Sequence, residues 1–234
     1  MREARFATSG VGSSMKIQDE DRAMGEMTFT SVAVGGFTSN SGKTGLVCDL
    51  LGEFPGWEAI KVSRGHYRSC GKDPHACCIA PLLGEEPTVR TGRAETYATG
   101  KDTGRFWDAG ASNVHWVIAT DKQIARGVEI ALSRVRAPGV FVEGNSLLRF
   151  VDVDFVVMAA RADGQIKPTA RRVLAKTSAF YLSGVEGQSA RERFAEWREG
   201  YHERELIDKI PIYTRDDLPR LVARLQAIHC AVAA

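Results

Sequence analysis

The chain has 234 residues, 44% of them hydrophobic and 26% charged, with a formal net charge of +2. That composition suits one globular α/β domain with a sizeable core and excludes a disordered or coiled-coil chain. The near-balanced charge supplies no global surface for nucleic acid or membrane. No apolar run reaches the roughly 18 residues of a membrane helix and no secretory signal opens the sequence. The odd count of five cysteines argues for reduced thiols, so a cytoplasmic protein is expected.

Residues 1–27 are polar, mixed in charge and rich in Gly and Ser, with no apolar period, and read as a loose tail. Internal methionines at Met15, Met24 and Met27 leave open whether all of it belongs to the native start. Residues 28–234 read as a single domain.

The β-branched run Thr28 to Val34 predicts a strand that ends in Gly35-Gly36, and a helix follows from Gly42 to Leu51. Between them lies Gly36-Phe37-Thr38-Ser39-Asn40-Ser41-Gly42-Lys43-Thr44, in the strand, loop, helix order of a phosphate-binding P-loop. Backbone N–H groups and the helix N-terminus there favour phosphate, so Ser39, Asn40, Ser41, Gly42, Lys43, Thr44 and Gly45 are the candidate nucleotide-binding residues. Lys43 would reach the β- and γ-phosphates and serve catalysis, and the Thr44 hydroxyl would ligate magnesium. The spacing departs from G-x-x-x-x-G-K-[ST]: five residues separate Gly36 from Gly42, and Phe37 holds the usual first-glycine position.

Short apolar strands are next expected at Glu58 to Val62, Val114 to Thr120 and Gly139 to Glu143, with a helix from Asp121 to Val135 capped by Thr120 or Asp121. Further strands are expected at Asp154 to Ala160, Ala179 to Leu182 and Ile210 to Tyr213, and a closing helix at Leu218 to Ala227. This alternation predicts a mainly parallel sheet covered by helices on both faces.

Glu143 ends the run Val140-Phe141-Val142 at the carboxyl end of its strand, where ligands of open α/β sheets bind. It is the candidate second magnesium ligand and catalytic carboxylate; Asp121 is the weaker alternative, read more simply as a helix cap. Lys61, at the end of the second strand, either points at phosphates or substrate or is a surface lysine. Asp49 is expected to face solvent, and Cys48 and Cys230 to be helix-core residues.

Residues 63–100 fit the alternation poorly and read as an insert above the sheet. Within it His66, Cys70, His75, Cys77 and Cys78 fall in thirteen residues. His66, Cys70, Cys77 and Cys78 are candidate ligands of zinc or an iron–sulfur cluster, or else plain thiols; the C-x6-C-C spacing matches no common zinc knuckle or ferredoxin. A thiolate at Cys70, activated by Arg68 or Lys72, is a further option.

The P-loop strand, FTSNSGKTGL, the strand ending in Ile60-Lys61, the segment from Lys101 to Ala111 (KDTGRFWDAGA) and Val142-Glu143-Gly144 together resemble the molybdopterin-guanine dinucleotide biosynthesis protein B family over residues 28 to 160. The resemblance implies a P-loop NTPase fold of the dethiobiotin synthetase class, GTP binding with magnesium, weak GTP hydrolysis and a homodimer. It also implies a nucleotidyltransferase of molybdenum cofactor synthesis as partner, and places Lys101, Asp102 and Arg105 beside the nucleotide or substrate. Asp102 and Arg105 would otherwise form a helix-surface ion pair. The family's histidine-rich stretch after the second strand is replaced here by Ser63-Arg64-Gly65-His66. No N-K-x-D motif specifies guanine, so GTP or ATP stays open, and Lys167-Pro168 with Arg171-Arg172 is either a base or phosphate contact or a solvated turn. The alternative functions are a small-molecule P-loop kinase or ligase, using Lys61 and Arg105 on the transferring charge, and a nucleotide-gated metal carrier.

Overall fold

A computed structural model describes residues 29–65, 82–161, 165–184, 188–202 and 204–233. The expected N-terminal tail and the ligand set His66, Cys70, Cys77 and Cys78 lie outside the described residues. Among those described, no group of three or more His, Cys, Asp or Glu is placed to hold a metal ion, and no helix is long and apolar enough to cross a membrane.

The strands are β1 (Thr30–Gly36), β2 (Glu58–Arg64), β3 (Thr88–Thr91), β4 (Val114–Ala119), β5 (Gly139–Glu143), β6 (Phe155–Arg161), β7 (Ala179–Ser183) and β8 (Ile212–Tyr213). They form one sheet in the order β3-β4-β2-β5-β1-β6-β7-β8. Every neighbouring pair is parallel except β3 with β4. The helices are α1 (Lys43–Glu53), α2 (Arg93–Thr96), α3 (Asp102–Asp108), α4 (Ile124–Ser133), α5 (Pro168–Arg171), α6 (Gln188–Glu199) and α7 (Leu218–Val232).

The sheet is buried on both faces because its strands are near-continuous apolar runs, and alternate residues feed alternate cores. Val32 and Val34 of β1 join Leu46, Leu50, Phe106, Leu221 and Leu225 under α1, α3 and α7. Ala33 between them belongs to the opposite core, with Ile124, Val128, Val173 and Phe194 under α4 and α6. A mostly parallel sheet with helices on both faces, and a strand, loop and helix at its centre, is the P-loop NTPase α/β fold.

Three expectations need correcting. Part of the 63–100 insert joins the sheet: Ser63 and Arg64 complete β2, and β3 pairs antiparallel with β4 as an edge strand. The helix expected from Asp121 starts at Ile124, and no side chain caps it; the Gln123 side chain instead accepts from the Thr120 N–H and hydroxyl, both at 2.9 Å. Cys230 is exposed on α7 and Cys48 half-buried, so neither is a full core residue. Asp49 faces solvent as expected.

Far from the carboxyl ends of the strands, a buried Glu58 takes the His115 ring at 2.6 Å and the N–H groups of Arg136 and Ala137 at 2.9 and 3.1 Å. These bonds fix the start of β2 beside β4, and so fix where β2 delivers Lys61 at its other end.

Candidate functional site

The parallel strands end together, and the loop between β1 and α1 rises at the centre of that edge. The extra residue that separates Gly36 from the usual motif is absorbed by β1. Pairing with β6 continues one step past the strand, as the Phe37 N–H donates to Ala159 O at 2.9 Å. The Phe37 side chain leaves the loop altogether. It is fully buried against Phe180, Phe194 and Trp197, with ring centroids 5.0–6.0 Å apart. Burying a phenyl ring contributes about 2–3 kcal/mol, so this residue anchors the loop's first position where a glycine would leave it free.

Two glycines are required by geometry. A Cβ on Gly36 would lie 2.2 Å from the Ser41 hydroxyl and 2.8 Å from the Lys43 stem, so any side chain would expel the loop. Gly42 has φ 80°, a left-handed conformation that starts α1, and a Cβ there would strike Ser183 at 2.6 Å. Ser183 in turn donates to the Ser41 carbonyl at 2.9 Å, which ties the loop to the end of β7.

Sequence reasoning missed Asn145. Only 7% exposed, it clamps the end of β1 through both faces of its amide: the Gly36 N–H donates to Oδ1 at 2.7 Å, and Nδ2 donates to Gly36 O at 2.8 Å. The one signal in the sequence is a polar residue directly after the Val142-Glu143-Gly144 strand end. We expect Asn145→Ala to leave buried backbone groups unpaired and to cost about 2 kcal/mol or more. Urea unfolding should show a lower midpoint at an unchanged slope; an unaltered midpoint would show that the clamp is dispensable.

A cavity of about 520 Å³ opens over the loop, lined by Ser39, Asn40, Gly42, Lys43, Thr44, Gly45, Lys61, Asp102, Arg105, Glu143 and Lys167. Most of the residues expected from sequence therefore meet in one place. Two do not. Ser41 is buried and donates to Thr38 O at 3.0 Å, so its side chain builds the loop rather than lining the cavity. Lys101 is exposed at the residue preceding α3, because it is Asp102 and Arg105, one helical turn apart, that α3 presents to the cavity. Asp121 is also remote: it is 57% exposed and ion-paired with Arg64 at 3.1 Å.

Glu143, 2% exposed, is the hub of the charged residues. Thr44 Oγ1 donates to its Oε2 at 3.0 Å, and Lys61 Nζ to its Oε1 at 2.6 Å. Lys61 Nζ also meets Asp102 Oδ2 at 2.5 Å, so Asp102 pairs with Lys61 in place of the alternative surface pair with Arg105. Burial alone would lower the Lys61 pKa, but the charges and hydrogen bonds of Glu143 and Asp102 outweigh it and hold the ammonium above its usual value. Burial likewise works to raise the Asp102 carboxyl, and is overcome chiefly by the hydrogen bond and charge of Lys61, so its pKa falls. One hydroxyl and two carboxylates thus converge, a hard-oxygen donor set that fits magnesium.

Lys43 folds back over the loop, donating to Thr38 O at 2.8 Å and Ser39 O at 3.2 Å. Burial, then the positive charge of Lys167, pushes its pKa down to about 8. Cys48 Sγ lies 3.6 Å from Arg105 O behind the cavity, and burial raises its thiol to about 11, so it is no nucleophile at neutral pH.

Neither the protein-family models nor the curated proteins compared with this sequence match it. Among solved structures, the chain is similar to the "apo" form of LpxK from Aquifex aeolicus in complex with ATP, at 15% identity and a TM-score of 0.44. The likeness covers 68% of this chain and 51% of that one, so the chain spans about half the length of that protein.

Proposed function

We propose that the protein binds a magnesium nucleoside triphosphate in this cavity and transfers the γ-phosphoryl group to a small molecule. The observation that carries this reading is the supply of charge outside the P-loop. Beyond Lys43 and Thr44, the cavity holds Lys61, Arg105 and Lys167 as cations, with Asp102 and Glu143 as carboxylates. Phosphoryl transfer needs little covalent help and much charge stabilisation and positioning, and a cavity that joins these groups to the P-loop supports that reading.

The Gly42 to Thr44 turn would cradle the phosphates, and Lys43 would exchange the Thr38 and Ser39 carbonyls for phosphate oxygens. Magnesium, held by Thr44, Glu143 and Asp102, would neutralise the β- and γ-oxygens. Lys61, steered by its two carboxylates, would face the transferring group, and Arg105 the acceptor. An acceptor oxygen bonds to the γ-phosphorus as the bond to the β–γ bridging oxygen breaks, and the nucleoside diphosphate leaves.

A second reading is favoured by the segment from Lys101 to Ala111, whose Asp102 and Arg105 line the cavity. Its resemblance to the molybdopterin-guanine dinucleotide biosynthesis protein B family supports a GTP-binding accessory role in molybdenum cofactor maturation, with slow hydrolysis, a homodimer and a nucleotidyltransferase partner. Turnover separates the two. Following labelled γ-phosphate from ATP and GTP against a panel of small metabolites, transfer to one metabolite faster than hydrolysis supports the first reading; slow hydrolysis with no acceptor stimulation supports the second.

A further inference from the structure

Lys167 arrives at the cavity from the opposite side to Lys61. The strand order places β5 and β2 on one flank of β1 and β6 on the other, and Lys167 stands in the turn that links β6 to α5. Its backbone is fixed twice. The Lys167 N–H donates to Phe37 O at 2.9 Å, and Pro168, at the start of α5, holds the preceding residue extended at ψ 154°. The side chain is therefore delivered from the first residue of the P-loop, itself anchored by a buried ring.

The ammonium groups in the cavity differ in how they are satisfied. Lys61 has two carboxylates, and Lys43 has two loop carbonyls. Lys167 has no side-chain or carbonyl acceptor for its ammonium among the described residues. Its surroundings are adverse: burial, then the charges of Arg64 and Lys61, lower its pKa, and only Glu143 opposes them. Lys167 also depresses Lys43, and the Lys43 ammonium lies against the carbonyls of Thr38 and Ser39, at the same end of the loop as Phe37. A fold that fixes two cations in one cavity, one without an acceptor among the described residues, is destabilised unless an anion enters between them.

We propose that Lys167 is a contact residue for the terminal phosphate of the nucleotide, gripping the γ-phosphoryl group from the β6 side together with Lys43 and so distinguishing triphosphate from diphosphate. It rests on the proposed nucleotide function and adds a residue to it. Lys43 is the group expected to reach the β- and γ-phosphates, and Lys167 lines the same cavity from the β6 side and acts electrostatically on Lys43, which suits it to share the outermost of them. The contact matters most as charge moves during transfer, because it comes from the β6 side of β1, opposite the strands that carry Lys61 and Glu143.

The test compares the affinities of wild-type protein, Lys167→Ala and Lys167→Arg for the β,γ-imido analogues of ATP and GTP and for ADP and GDP, with magnesium, by calorimetry. Lys167→Ala should weaken triphosphate binding about 10- to 100-fold, the loss of one charge-assisted bond, and change diphosphate binding less than about threefold. Lys167→Arg should restore most of the preference. Equal losses for both nucleotide classes, or no loss for either, would overturn the assignment while leaving the nucleotide reading intact. Wild-type protein that binds none of the four would overturn both. Lys167→Ala should keep the wild-type circular dichroism and melt no lower than the wild type, since the ammonium it removes is adversely placed and bonds to no acceptor among the described residues.

Discussion

Lys43→Ala is expected to lower nucleoside triphosphate affinity by about 100-fold or more while leaving the fold intact. Among the described residues, the Lys43 ammonium of the free protein bonds only to the carbonyls of Thr38 and Ser39. The loop's other supports are independent of it: the Phe37 ring, the Asn145 clamp on Gly36 and the Ser183 bond to Ser41. Removing the amine therefore deletes a phosphate contact rather than a structural strut. Wild-type circular dichroism and a melting point no lower than that of the wild type, together with a flat calorimetric titration, are the expected pair of results; unchanged affinity would remove Lys43 from the phosphate site.

The same lysine sets a pH dependence. Its pKa in the free site is about 8, whereas bound phosphate would stabilise the ammonium and raise it. Binding then takes up a proton once the pH exceeds the free-site value, so affinity should be constant from about pH 7 to 8 and fall as the pH rises beyond. Lys167, also lowered, acts in the same direction. Folding shows the opposite trend. The unfolded chain has its lysine at the ordinary 10.5 and binds more protons between about 8 and that value, so this residue adds stability to the free protein as pH rises through that window. Titrations from pH 7 to 10 in which affinity stays level would contradict the assigned depression.

The second large effect is expected at Glu143. Glu143→Gln keeps the volume and the acceptor oxygen, so the Thr44 hydroxyl and the Lys61 ammonium can both still find a partner, and Lys61 retains Asp102. What disappears is one negative charge among the oxygens assigned to magnesium. Nucleotide binding should change by less than about tenfold, whereas turnover should drop about 100-fold or more, as expected when charge beside a transferring phosphoryl group is lost. Single-turnover kinetics separates the steps; normal turnover of bound nucleotide, with affinity alone reduced, would count against the role given to this carboxylate.

Much of the centre of the fold is legible from sequence because there local and global signals agree. The β-branched run, the glycines and the Lys-Thr pair specify β1, the loop and α1, and Glu143 is marked by ending an apolar strand. The edges are less legible. β3 is four half-buried residues, Thr-Val-Arg-Thr, paired antiparallel at the border of the sheet, too short and too mixed to show a period. α6 is hidden by its composition: in Gln188–Glu199 the apolar contacts come from Ala190, Phe194 and Trp197, one narrow stripe among charges.

The site shows the same division. Residues on the loop and at the ends of β2 and β5 can be found from strand ends and glycine spacing. Asn145 and Lys167 depend on which strands are neighbours, since their bonds to Gly36 and Phe37 join segments more than a hundred residues apart in sequence. The sequence lists Lys167 beside Arg171 and Arg172, but only the first reaches the cavity; the other two are exposed.

The most direct measurement is a crystal structure of the wild-type protein with magnesium and a β,γ-imido triphosphate. The account predicts phosphates on the backbone of Ser39 to Thr44, the Lys43 and Lys167 ammonium groups on the terminal phosphate, and the metal among Thr44, Asp102 and Glu143. Nucleotide bound at another surface, with Lys43 still on the carbonyls of Thr38 and Ser39, would contradict it.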